Sequence, residues 1–166
     1  MVLIAHRGLI SGPDPEIENS PELIETSATI HNFFVECDLW YKSNKLWLGH
    51  DKPQYQISEN WLNDIRSTLF IHAKNLEAAR FLSSSKKYTW FFHDQEAFTF
   101  TSHGHLWQYP GNHAENVILN QPERTAKLQT MSDEQIVEHL NLLNNNLNYI
   151  GVCSKYVLRL RDCFND

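Results

Sequence analysis

Four stretches of the sequence place groups that handle protons and charge where an apolar run gives out. Val2-Leu3-Ile4-Ala5 stops at His6-Arg7-Gly8, the pattern of a buried strand delivering an imidazole and a guanidinium to the mouth of a pocket. Phe33 to Tyr41 alternates. Successive strand side chains point to opposite faces, so Phe34, Glu36, Asp38 and Trp40 share one side and Val35, Cys37 and Leu39 the other. Two carboxylates on a face this apolar repel each other and lose solvation, and they require a cation or a proton between them. Cys37 points away from them and is expected in the core. Lys45 to Leu48 ends in Gly49-His50-Asp51, and Leu69 to Asn75 sets Phe70, His72 and Lys74 on one face. An unpaired buried ammonium is costly, so Lys74 either serves the pocket or snorkels to water at an exposed edge.

Positioning these groups takes an α/β scaffold. Glu18-Asn19-Ser20-Pro21 opens a helix, with Ser20 able to cap and Pro21 suited to the first helical position. Further helices are expected from Ser58, from Asn75 and from Asp133. Main strands near residues 2, 34, 70, 89, 98, 106, 117 and 150 number eight, the count of a closed TIM-type (β/α) barrel. The chain is short for that fold, so the expected form is a reduced barrel over residues 1–166 as a single domain, with several outer helices missing or short; a barrel with fewer strands, or an open one, is the alternative.

With 166 residues, 42% of them hydrophobic, the chain can bury a sizeable core. A net charge of -6 with scattered basic residues argues against nucleic-acid partners and anionic membranes, while leaving room for a small anionic ligand in a locally positive pocket. No stretch reads as a secretion signal or a membrane span, and three cysteines without metal-knuckle spacing favour a reducing, cytoplasmic setting.

Taken together and in order, His6-Arg7-Gly8, Glu18-Asn19-Ser20, Glu36-Cys37-Asp38 and Gly49-His50-Asp51 resemble the glycerophosphodiester phosphodiesterase family, within the wider group of phospholipase C-like phosphodiesterases. The match is specific over residues 4–51, moderate at 70–75 and faint at 150–156. The resemblance implies a metal-dependent phosphodiesterase acting on a small phosphodiester. His6 and His50 would be general acid and base in either order, because an imidazole titrates near neutral pH. Arg7 and Lys74 would bind the phosphate. Glu36 and Asp38 would ligate Mg²⁺ or Ca²⁺. Where the family usually carries a third carboxylate this chain has His72, which either ligates, shifting preference towards Mn²⁺ or Zn²⁺, or hydrogen-bonds a metal-bound water. The nucleophile is water or a neighbouring substrate hydroxyl that closes a cyclic phosphate. The alternative is a catalytically silent barrel that binds a phosphorylated ligand.

The remaining polar residues divide between site and scaffold. Glu18 either sits near the metal or favours the positive end of its helix, the helix being the simpler use. Asp51 either orients His50 or caps the next turn, again with the turn simpler. His93, Asp94 and Glu96 touch substrate or merely solvate a loop. His103-Gly104-His105 reads as a hairpin turn, and Trp107 and Tyr109 as core or as the floor of a pocket.

Overall fold

The structure, a computed structural model, describes residues 1–112, 114–126 and 130–165. It is a mixed α/β fold built on one curled sheet of ten strands. In chain order these are β1 (Val2–His6), α1 (Pro21–Glu25), β2 (Phe34–Lys42), β3 (Lys45–Leu48), β4 (Tyr55–Ile57), α2 (Glu59–Asp64), β5 (Leu69–Ala73), α3 (Leu76–Ser83), β6 (Thr89–Phe91), β7 (Phe98–Phe100), β8 (Leu106–Gln108), β9 (Val117–Asn120), α4 (Glu123–Ala126), α5 (Asp133–Leu147), β10 (Gly151–Ser154) and α6 (Val157–Asn165). All eight expected strands form. The hairpin partner β4 and the short helix α4 carried no periodic signal long enough to read. Among the described residues no helix is long and apolar enough to cross a membrane.

Seven strands run parallel in the spatial order β6-β5-β2-β1-β10-β9-β8. Among the described residues the end strands β6 and β8 do not pair with each other, and the turn before β8 reaches β6 instead. Ser102, in the β7–β8 hairpin turn, donates its N–H to the Trp90 carbonyl (2.7 Å) and accepts the Trp90 N–H on Oγ (3.1 Å), so a side chain supplies part of what a further strand would. The turn itself is the hairpin read from His103-Gly104-His105, with Gly104 at φ +84°.

Strand alternation sorts the apolar residues into an outer and an inner set. Outward-facing Val35, Cys37, Leu39, Ile71 and Ala73 pack against Ile24, Leu62, Ala78 and Leu82 of the helices. Val117, Leu119 and Val152 do the same against Ile136 and Leu160. Cys37 is thus in the core, as expected. The inner set takes one residue from each of six strands: Ile4, Phe70, Phe91, Trp107, Ile118 and Cys153. Each large aliphatic or phenyl side chain in this plug contributes roughly 1.5–3 kcal/mol by burial. Phe91 stacks on Trp107 at 4.6 Å between ring centres, and Phe70 lies 5.6 Å from the same indole. Two positions further along stand His6, His72 and Asn120, on the same strands and the same face, and His93, Tyr109 and Lys155, just past the ends of theirs. The plug is the floor on which the polar groups rest.

Helix ends follow the expected chemistry. Ser20 caps α1 by accepting the Leu23 N–H, with Pro21 in the first turn, and the helix ends in a π turn over Thr26–Ile30. Ser58 and Asn75 cap α2 and α3 in the same way.

Candidate active site

Strand lengths explain why so many charged groups meet. β2 has nine residues and outruns its neighbour β1, whose last paired position sets His6 beside Glu36. Beyond it, β3 takes over the same edge of β2 at Leu39. The gap between the two falls at Asp38, and Asn19 fills it: its Oδ1 accepts the Asp38 N–H and its Nδ2 donates to Asp38 Oδ2, both at 2.9 Å. On the other edge β5 sets His72 beside Asp38. Asn75 then prolongs that ladder with bonds to both backbone polar groups of Tyr41.

The result is a cavity of about 340 Å³ at the ends of the parallel strands. It is lined by all seven residues singled out from the sequence, His6, Arg7, Glu36, Asp38, His50, His72 and Lys74. Lys74 therefore faces the pocket, in ion-pair range of Asp38 at 3.4 Å, with only 16% of its side chain exposed.

Asp38 is the electrostatic centre. It is 1% exposed, and burial alone would raise its carboxyl. The His72 hydrogen bond (Nδ1 to Oδ1, 3.0 Å), the Arg7 guanidinium (Nε to Oδ2, 3.1 Å) and Lys74 outweigh burial and hold it well below the usual carboxylate range. Glu36 goes the other way. Burial, then the Asp38 charge, push its carboxyl up to about 8 despite Arg7 nearby and a 3.2 Å hydrogen bond from the Arg7 backbone N–H. One carboxylate is thus ionised and the other short of positive charge. Burial, reinforced by the Arg7 charge, lowers His6 well below the ordinary imidazole value and also lowers His50, so both rings are neutral near pH 7.

Arg7 is placed by strain and by an anchor. It sits at φ +55°, followed by Gly8 at φ +78°; a left-handed non-glycine residue costs about 1–2 kcal/mol. Gly8 is needed because α1 backs onto the turn, and a Cβ there would lie 3.2 Å from both Leu23 and Ile24 side chains. Glu18 holds the guanidinium through Oε1 to NH1 (2.8 Å) and Lys155 through Oε2 to Nζ (2.9 Å). The expectation that Glu18 mainly serves its helix is corrected: both its oxygens are bound by these two cations, and the helix cap is Ser20.

His50 follows Gly49, which has φ +143° and donates its N–H to the Asp38 carbonyl at 3.2 Å. Asp51 Oδ1 lies 2.7 Å from His50 Nδ1, so Asp51 orients the ring, contrary to the simpler expectation. A Cβ on Gly49 would stand 2.2 Å from the Lys52 carbonyl oxygen. Gly49→Ala is therefore expected to destabilise the protein by about 2 kcal/mol, read from thermal unfolding.

Several cavity residues carried no separate signal. Asn120 lines it from β9, Gln121 from the turn beyond and Arg124 from α4. Applying strand alternation to Val117–Asn120, with Ile118 inward, would have found Asn120. His93 also lines the cavity; burial, then His72, lower it to about 4. Trp107, at 1% exposure, is both core and floor.

Glu36, Asp38 and His72 offer ligand atoms all within 4.8 Å of one another, a spread one ion can bridge. A raised Glu36 is the carboxyl that a cation would return to its anionic form, and the carboxylate pair fits a divalent ion on that ground. His72 points Nδ1 at Asp38 and Nε2 at the His93 carbonyl (3.2 Å), and it binds an ion only by giving up one of these contacts. No family model, curated protein or solved structure matches the chain.

Proposed function

We propose that the chain is a metal-dependent phosphodiesterase of the glycerophosphodiester phosphodiesterase kind, on a reduced TIM-type barrel. The observation that carries this reading is that three of the four motif stretches, chosen for their order in the sequence, line one cavity while the fourth braces it through Glu18 on Arg7 and Asn19 on Asp38, so that the His6 and His50 imidazoles and the Arg7 and Lys74 cations gather around Asp38. Such a set can activate an oxygen nucleophile, protonate a leaving alkoxide and offset the charge on phosphoryl oxygens.

Arg7 and Lys74 bind the phosphoryl group; with Lys155 they are three cations linked to two carboxylates, Asp38 and Glu18, which leaves positive charge to spare. His6 and His50 exchange protons with the nucleophile and the leaving group. Glu36 and Asp38 hold Mg²⁺ or Ca²⁺, or Mn²⁺ or Zn²⁺ should His72 join them, and the ion supplies further positive charge against the phosphoryl oxygens. Asn120 Oδ1 and His93 Nδ1 are buried without a hydrogen-bond partner among the described residues, which suits a leaving alcohol bearing its own hydroxyl groups.

Purified protein with Mg²⁺, Mn²⁺ or Ca²⁺ is expected to cleave glycerophosphodiesters or an activated aryl diester, and to stop when the ion is chelated. Phosphorus NMR separates a monoester from a cyclic phosphate. No turnover across a broad diester panel with any of these ions overturns the proposal. Stabilisation by a phosphorylated ligand without product would identify the silent-barrel alternative.

A further inference from the structure

We infer that Gln121 is a positioning residue for His6, fixing the ring in the tautomer with its proton on Nδ1 and with the Nε2 lone pair on the cavity side, held by the Gln121 amide. The inference builds on the reading of His6 as a proton-transfer group. His6 is 5% exposed, and its Nδ1 is buried without a hydrogen-bond partner among the described residues. Glu36 Oε2, at 3.7 Å from Nε2, is beyond hydrogen-bond distance. Gln121 Nε2 stands 3.2 Å from His6 Nε2. An amide nitrogen can only donate, so the ring nitrogen accepts and the imidazole proton resides on Nδ1. A histidine oriented by a carboxylate on its far nitrogen gets the same tautomer from the opposite side; here the amide does it from the cavity side.

The backbone is bent to make this contact. Gln121 lies just past β9, and β10 separates β9 from β1 in the sheet, so its side chain must reach across a strand. It does so from φ +49°, a left-handed conformation that costs a glutamine about 1–2 kcal/mol. Its N–H bonds to the Cys153 carbonyl at 2.7 Å, and its own carbonyl accepts the Arg124 N–H at 3.0 Å. Strain held by two backbone bonds at a cavity wall marks a position where side-chain direction matters. Nothing in the local sequence Leu119-Asn120-Gln121-Pro122 asks for a left-handed residue as a glycine would.

Gln121→Glu and Gln121→Met separate this role from packing. Glutamate keeps the shape but can only accept when ionised, and so calls the proton onto His6 Nε2; methionine keeps the bulk and bonds neither way. The test is the nitrogen-15 spectrum of the histidine rings of the full chain, with the His6 resonances assigned by their loss in His6→Gln, together with diester kinetics. The expected result is Nδ1–H, Nε2-unprotonated His6 in the natural protein and the reversed tautomer in Gln121→Glu. Both variants should lose about 10–100-fold in kcat with KM little changed. Nε2–H in the natural protein, or an unchanged tautomer in Gln121→Glu, overturns the assignment. The spectrum needs no turnover: an inactive protein with the expected tautomers supports the role of Gln121 and counts against the phosphodiesterase reading alone.

Discussion

His50→Ala is expected to lower kcat for diester cleavage by about 10²–10⁴-fold, the contribution of a positioned acid or base, while the Tm moves by about 2 °C or less. The separation of rate from stability follows from where the ring sits. Its side chain is 37% exposed and its partner Asp51 is 89% exposed, so truncation removes little packing and leaves no buried group stranded. His6 cannot be tested as cleanly by alanine, because it is 5% exposed above the plug and its loss would open a cavity; glutamine is the better replacement there. Steady-state rates and a melting curve on one preparation suffice. A His50→Ala protein retaining more than a tenth of the activity would remove His50 from the chemistry.

Asp38→Asn is expected to produce the opposite pattern, a large loss of stability as well as of function. The substitution keeps the shape and leaves one oxygen to accept from Asn19. It takes away the charge that Arg7, His72 and Lys74 all face. Arg7 keeps Glu18, but Lys74 loses its ion pair, and breaking one side of a buried pair costs about 3–5 kcal/mol, which for a chain of this size lowers Tm by roughly 6–20 °C. Stabilisation by added Mn²⁺ or Mg²⁺ should vanish with it, since a carboxamide offers a divalent ion no charge. Thermal unfolding with and without the ions measures both. A Tm within 2 °C of the natural protein would show that Asp38 is not the centre on which the cations depend.

Much of the site was legible because strand alternation is a short-range rule. Phe34, Glu36 and Asp38 must share a face whatever the fold, and so must Phe70 and His72. The polar ends of β1, β2 and β5, with the turn after β3, therefore announced themselves in the residue order. What stayed hidden depends on contacts made across the sheet. Whether Glu18 serves a helix or a guanidinium is decided by Lys155, which lies far along the chain. Asp51 looked like a turn residue because nothing local says which way His50 faces. Gln121 was invisible since its partner is on a strand it does not touch. The architecture was legible in part: each of the eight expected strands forms, but β7 runs antiparallel in a hairpin, β3 and β4 extend the sheet to ten, and β6 is met by the backbone and side chain of Ser102 in place of a further strand.

The pairing of β1 with β10 also sets when the molecule can become competent during synthesis. Val2 lies opposite Gly151, so one edge of β1 stays bare until β10 has left the ribosome, on the order of ten seconds after β1 at ordinary elongation rates. Until then Glu18 lacks Lys155 and Gln121 has no Cys153 carbonyl to hold its turn. A nascent chain can carry the whole His6 to Lys74 segment and still have no working pocket, and the exposed edge of β1 is the part a chaperone would need to shield.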